Sequence, residues 1–335
     1  MGYKLVIGKK ITVLFTEPEV FIPRLQSSIP TSWDCKFEKF SNESALVEWY
    51  RENPCEIIFA RLGISFSSYF FKECKKLKIL ATPTTGLDHI DLTAASKAGV
   101  KVLSLRGEVK FLQNITSTAE HAWSLLLACN RKIPELIART KSGSWARSDL
   151  QLHQISGQTL GVIGFGRLGK ILAEYALAFR MPVLVYDPHI SPNKFPHHVM
   201  PVSLKKLLKK ADHVILVASY NIGDPPILGR DQIFSMKPNS TFINVARGEL
   251  VDEAALKDAL DAGLLRSVGL DVLSGDSNWS QDHLVSSSLI DQSQKLPQIL
   301  ITPHVGGYTI EAIEATRRFI INRVDRIIRI QKGNN

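Results

Sequence analysis

The chain has 335 residues, 44% hydrophobic and 22% charged, which excludes wholesale disorder, collagen and a small disulfide-stapled scaffold and leaves room for about two domains. Forty-one Lys and Arg against 32 Asp and Glu give a net charge of +9, which favours an anionic partner: a nucleic acid, a membrane surface or a small acid. Cys35, Cys55, Cys74 and Cys129 form no CxxC pair and no histidine stands at zinc-ligand spacing from them, so reduced structural thiols and no bound metal are expected. The start, MGYKLVIGKK, lacks the apolar stretch of a signal peptide, and no apolar run reaches the ~18 residues of a membrane span. The expectation is a cytoplasmic protein without a membrane partner.

Short β-branched runs alternate with amphipathic stretches, the pattern of parallel strands joined by crossover helices, so the predicted fold class is α/β with doubly wound parallel sheets. Strands are expected first at ITVLFTE (11–17), CKFEKF (35–40), EIIFARL (56–62), LKILATP (77–83) and VKVLSL (100–105). Between them, ESALVEWYREN (43–53) reads as a helix that Pro54 stops, and LTAASKAG (92–99) as one that Gly99 can end in a left-handed conformation. From Thr118, apolar or small residues at 119, 122, 126, 129, 133 and 137 predict a long helix. Pro134 must kink or break it near Lys132 and Ile133, because proline removes a backbone donor and crowds the preceding turn. The polar stretch 142–158 reads as a loop or arm. A second set of strands follows at 159–166, 182–188, 213–219, 240–246, 267–273 and 299–305. The lysines of SLKKLLKKA alternate with leucines at helical spacing, which describes a solvated helix face, and no interleaved aromatics suggest a nucleic-acid platform.

In GVIGFGRLG (161–169), Gly164, Gly166 and Gly169 stand at GxGxxG spacing between a strand and a helix. That spacing suits a tight turn, close backbone approach to a pyrophosphate and tight helix–strand packing, with phosphates at the helix N-terminus. Asp187 ends the next strand 18 residues after Gly169, where a carboxylate accepts ribose hydroxyls and repels a 2′-phosphate, so NAD is expected rather than NADP. Arg247, Asp271 with Asp276, and His304 lie at the ends of the last strands, where open α/β sheets bind ligands. Oxidation of an alcohol by NAD needs a base, a cation to hold the oxygen and a fixed nicotinamide, and these residues can supply those parts.

TTGLDHID (84–91), TAEHAWSLLLACNRKIP (118–134), GVIGFGRLG (161–169), INVARGELVDEAAL (243–256), GLDVLSGD (269–276) and TPHVGGYT (302–309) together resemble the D-isomer-specific 2-hydroxyacid dehydrogenase family over roughly residues 76 to 330. The resemblance implies two Rossmann-like domains with an interdomain active-site cleft: a substrate domain of residues 1–115 plus 306–335, and an NAD-binding domain of residues 116–305. The tail 311–330 would be a helix returning to the first domain. Arg247 would grip the substrate carboxylate and carbonyl oxygen, His304 would exchange the proton, and Asp276 would orient His304. Asp271 would bind the nicotinamide carboxamide near Thr118, Arg167 and Leu168 would lie over the pyrophosphate, and Val245, Ala246 and Gly306 would complete the cofactor site. Thr84, Thr85 and Gly86 resemble the family's carboxylate-binding loop. A homodimer is implied, with the helix from Thr118 and the arm 142–158 at its interface.

Two departures stand out. Asp276–Ser277 replaces the family's usual Glu–Pro, so the partner of His304 is one methylene shorter, and either the backbone moves in or the pair loosens. VASYN (217–221) stands where the family often has a His-x-Pro stretch. Glu120 and His121 look like half a zinc motif, but no second histidine follows at helical spacing, so they are expected to be structural. Besides a 2-hydroxyacid dehydrogenase, an NAD(H)-sensing binding protein and a formate or phosphite dehydrogenase of the same fold stay open. The letters do not identify the acid, although Arg61 or Arg106 could meet a second acidic group.

Overall fold

The computed structural model describes residues 10–61, 63–148, 150–276 and 287–333. The chain divides into two compact units, one built from the stretch up to Leu112 with the stretch from Thr309, the other from Gln113–Asp276 with the stretch ending at Tyr308.

In the first unit β1 (Ile11–Phe15), β2 (Trp33–Phe37), β3 (Ile57–Phe59), β4 (Ile79–Ala81) and β5 (Lys101–Leu103) form one parallel sheet in the order β2-β1-β3-β4-β5. The inner strands are buried on both faces, which is why they read as unbroken apolar runs. Phe15 stacks between Phe37 and Phe59, with ring centroids 5.1 and 4.5 Å away. Local signals set the crossover helices: Asn42 caps Glu43–Glu52 by accepting from the Ala45 amide, and Asp91 caps Leu92–Lys97 by accepting from Ala94. Gly99 follows the second of these at φ +72°, the left-handed stop expected from the sequence. The C-terminal helix Ile310–Gly333 belongs to this unit. Its Arg317 donates from Nε and Nη2 to the two carboxylate oxygens of buried Glu17 (3.0 and 2.8 Å), and Phe319 stacks on Phe111 at 4.1 Å. Losing either partner of such a satisfied pair strands a buried charge, at about 3–5 kcal/mol.

The second unit holds β6 (Leu160–Ile163), β7 (Val183–Tyr186), β8 (Val199–Pro201), β9 (His213–Leu216), β10 (Ser240–Asn244), β11 (Leu265–Leu270) and β12 (Ile299–Ile301). They make a parallel sheet in the order β12-β11-β10-β9-β6-β7-β8. Every expected strand overlaps an observed one, and β8 is additional. It is an edge strand of three residues that ends on proline and buries only Val199, so it leaves no apolar run to read. The long helix breaks where Pro134 requires: Ser117–Asn130 buries Ala119, Ala122, Leu125, Leu126 and Cys129, Lys132 turns left-handed at φ +50°, and Ile133–Lys141 restarts with the proline in its first turn. The stretch 142–158 carries no helix or strand among its described residues, and Asn130 Nδ2 tethers it by donating to the His153 carbonyl at 2.7 Å.

The four cysteines carry no disulfide, and burial pushes the thiols of Cys55 and Cys129 up to about 12, which removes their nucleophilic thiolate form at neutral pH. No helix among the described residues is long and apolar enough to cross a membrane.

Candidate active site

The turn after β6 fits a dinucleotide on stereochemical grounds. Gly164 has φ +95°, and a Cβ there would lie 2.7 Å from the Ala218 backbone. A Cβ on Gly169 would lie 2.2 Å from the Gly164 carbonyl oxygen, so this glycine seats the helix Arg167–Ala178 against the turn. A Cβ on Gly166 would meet nothing within 4 Å, which leaves space beside the helix N-terminus. No side chain caps that helix, so its first amides point to where a pyrophosphate would bind. Asp187, just beyond β7, accepts the Phe165 amide on Oδ2 (2.8 Å) and the His189 amide on Oδ1 (2.9 Å). The carboxylate expected to read the ribose thus also braces the glycine turn, and each oxygen keeps a second lone pair for a hydroxyl donor. Leu168 lies in the first turn of the helix, and the Arg167 guanidinium donates to the Ile115 carbonyl.

The ionisable candidates of this unit gather at the carboxyl ends of β10, β11 and β12. Arg247 follows β10 and buried Val245 and Ala246; its Nη1 donates to the Ala246 carbonyl at 2.7 Å, while Asn244 accepts from the Ala246 amide and donates to the Arg247 carbonyl. Next to it, a Cβ on Gly248 would come 2.0 Å from the Leu273 carbonyl carbon and the Ser274 nitrogen, so only glycine lets this turn press on the loop that carries Asp276. That loop is clamped further: Glu253 accepts the Ser274 amide (2.6 Å) and Glu249 the Gly275 amide (3.0 Å). Burial raises the Glu253 carboxyl pKa, with its hydrogen bonds acting in the opposite sense.

In this clamped loop the shorter side chain reaches His304. Asp276 Oδ2 lies 3.0 Å from His304 Nδ1 and also accepts the Leu273 amide at 3.3 Å, with the carboxylate 1% and the imidazole 33% exposed. The pair is closed, not loose. A carboxylate on Nδ1 selects the tautomer with Nδ1 protonated and the lone pair on Nε2. His304 itself sits at φ +53°, a left-handed conformation that costs a non-glycine residue roughly 1–2 kcal/mol.

Asp271, 2% exposed at the end of β11, holds the chain on either side of this conformation. Oδ1 accepts the Thr302 hydroxyl (2.6 Å) and the Val305 amide (2.9 Å), and Oδ2 accepts the Gly306 amide (2.8 Å). His121 Nε2 lies 3.1 Å from Oδ1. Burial opposes the charge, but His121, Thr302, Gly306 and Val305 outweigh it, and the carboxyl pKa stays below its ordinary value. A Cβ on Gly306 would fall 2.9 Å from Asp271 Oδ2 and 3.4 Å from Thr118 Cγ2, so glycine keeps this position clear of both side chains.

In the first unit, Thr84, Thr85 and Gly86 follow β4. The Thr84 hydroxyl donates to the Gly86 carbonyl (2.7 Å) and lies 3.0 Å from the Thr82 hydroxyl, while the Thr84 carbonyl receives the Leu105 amide, so the loop is a fixed turn. Arg61 and Arg106 stand at the same sheet edge, Arg61 buried with its amide on Thr16 Oγ1.

Sequence reasoning placed the His304–Asp276 pair and the glycine turn. It missed Glu249 and Glu253 as clamps, although both lie in the stretch 243–256, and it read His121 as no more than a helix-start residue.

Residues 123–306 match the family described as D-isomer specific 2-hydroxyacid dehydrogenase, NAD binding domain. The chain is 37% identical over 258 residues to D-3-phosphoglycerate dehydrogenase of Mycobacterium tuberculosis, covering 77% of this chain and 46% of that protein. It is 32% identical over 274 residues to hydroxypyruvate reductase of Thermotoga maritima, covering 82% of this chain and 84% of the relative. Among solved structures it resembles D-lactate dehydrogenase of Aquifex aeolicus complexed with NAD and lactic acid, with a TM-score of 0.82, 25% identity and 96% of each chain covered. The chain belongs to the D-isomer-specific 2-hydroxyacid dehydrogenase family. It spans about half the length of the phosphoglycerate dehydrogenases it matches.

Proposed function

We propose that this protein is an NAD-dependent dehydrogenase that transfers hydride between NAD(H) and C2 of a small D-2-hydroxy acid or 2-keto acid. The observation that carries the reading is the His304–Asp276 pair, 3.0 Å apart, at the carboxyl edge of a sheet whose glycine turn fits a dinucleotide. When bound, NAD supplies the hydride acceptor for oxidation, and NADH the donor for reduction. His304 takes the hydroxyl proton on Nε2 during oxidation and returns it to the carbonyl oxygen during reduction. Asp276 holds Nδ1–H and stabilises the imidazolium that forms. Arg247 offers the planar fork that a carboxylate and its neighbouring carbonyl oxygen require, and polarises that oxygen as negative charge develops. The amides of Thr84, Thr85 and Gly86 take the substrate carboxylate, and Thr118, Val245, Ala246, Asp271 and Gly306 surround the nicotinamide.

The Ile133–Lys141 helix supports a homodimer. It has no buried residue, and Ile133 and Ile137 are 42% and 49% exposed, with Trp145 beyond it at 85%; a second copy of this chain covers that apolar stripe. A monomer mass by light scattering at micromolar concentration contradicts this part.

The function is tested by NADH absorbance with a panel of 2-keto acids, including phosphorylated ones, and by NAD reduction with D-2-hydroxy acids, formate and phosphite. Turnover confined to the keto and hydroxy acids is the expected result. Tight NADH binding without turnover across the panel would point to a sensor, and NAD reduction by formate or phosphite alone to a different reductant.

A further inference from the structure

His121 projects from the first turns of the helix Ser117–Asn130 to the ends of β11 and β12. Its Nε2 lies 2.8 Å from Thr302 Oγ1 and 3.1 Å from Asp271 Oδ1. Thr302 has one hydroxyl proton and directs it to Asp271 Oδ1 at 2.6 Å. His121 Nε2 therefore faces a hydroxyl lone pair and a carboxylate oxygen, both acceptors, and must itself carry a proton. Its neighbours set this tautomer. It is the opposite of the one on His304, where the carboxylate meets Nδ1.

The carboxylate that His121 serves does one further thing. It receives the amides of Val305 and Gly306, the two residues after His304, whose backbone is left-handed and whose own amide donates to the Thr302 carbonyl at 2.9 Å. Asp276 fixes the ring of the acid/base histidine, while Asp271 fixes its main chain. Asp271 is 2% exposed, so no bulk water replaces a lost donor there.

We propose that His121 is a positioning residue for His304: by donating from Nε2 to Asp271 and Thr302 it holds the carboxylate that anchors the Val305 and Gly306 amides. A neutral donor suffices for this. Glutamine, whose side-chain amide nitrogen falls near the position of Nε2, replaces the function, and phenylalanine, which keeps the ring volume without the donor, does not. The kinetic consequence rests on the dehydrogenase reading above, whereas the hydrogen-bond consequence does not.

The test uses the wild type, His121→Gln and His121→Phe. In the protein without cofactor, hydrogen–deuterium exchange over Thr302–Tyr308 is expected to be roughly 10- to 100-fold faster in His121→Phe and to return to within a few-fold of wild type in His121→Gln, with peptides of the β6 strand unchanged. Turnover of keto acid with NADH is expected to fall roughly 10- to 100-fold in kcat in the phenylalanine variant and to recover in the glutamine variant, as a misplaced acid/base group requires. Unchanged exchange in His121→Phe overturns the proposal whatever the activity. Faster exchange with undiminished kcat overturns the link to His304. If the wild type turns over none of the acids, the dehydrogenase reading fails, and the exchange result still decides whether His121 holds the loop. Should the phenylalanine variant not fold, long-range ¹H–¹⁵N correlation on the wild type decides: His121 protonated on Nε2 supports the proposal, and the Nδ1–H tautomer overturns it.

Discussion

The two edges of the seven-stranded sheet use histidine in opposite ways. At the amino edge His213 opens β9, fully buried, with Nε2 2.7 Å from Gln158 Oε1. The carboxylate beside it in sequence, Asp212, is turned to Lys237 and to the Thr159 amide, so the imidazole gains an uncharged partner. Burial, followed by the nearby Arg266 charge, pushes the His213 pKa down to about 4. At the carboxyl edge His304 is partly exposed and paired with a carboxylate. Both rings are hydrogen-bonded, but the amino-edge partner is an uncharged amide and the carboxyl-edge partner a carboxylate. One ring is buried on an amide and the other partly exposed on a carboxylate, the arrangement that the proposed acid/base role requires.

A large effect is expected at Arg247, which follows β10 on the same carboxyl edge. Arg247→Ala should lower kcat/KM roughly 10²- to 10³-fold, about 3–4 kcal/mol of transition-state stabilisation, measured with the keto acid that the wild type reduces fastest. A loss of less than about tenfold would remove Arg247 from the chemistry.

The amino edge should show itself in acid. The folded His213 pKa of about 4 lies below its ordinary 6.5, so between those values the unfolded chain binds a proton that the folded chain refuses. Stability contributed above pH 6.5 is lost as pH falls towards 4, by about 3 kcal/mol for this group. Urea midpoints at pH 7 and pH 4.5 should therefore differ more for the wild type than for His213→Gln, and equal differences would argue against a buried neutral imidazole.

A smaller effect is expected at Asp276. Asp276→Asn should cost roughly 10- to 100-fold in kcat, because an amide neither enforces the Nδ1–H tautomer nor stabilises the imidazolium. Asp276→Glu should not improve on the wild type. The contact of Gly248 with Leu273 and Ser274, and the Glu249 and Glu253 clamps, hold the loop where the aspartate already reaches His304. A faster glutamate variant would show that the pair is loose.

What the sequence disclosed follows the range of each interaction. The glycine turn, the break at Pro134 and the caps at Asn42 and Asp91 are set by residues a few positions apart, and spacing alone reveals them. The His304–Asp276 pair, 28 positions apart, was legible through the combination of motifs that carries the family resemblance. The contact of His121 with Thr302 spans 181 positions, and that of Glu253 with Ser274 spans 21; nothing in the local letters pairs them. The edge strand β8 was hidden for a different reason, since a strand with one buried residue has no pattern.

Under the proposed function, proton transfer belongs to the carboxyl edge. It is tested most directly by measuring NADH-driven keto acid reduction in His304→Ala and His213→Gln side by side with the wild type. A roughly 10²- to 10⁴-fold loss of kcat is expected in His304→Ala and a kcat within about threefold of wild type in His213→Gln. Wild-type turnover by His304→Ala would contradict it.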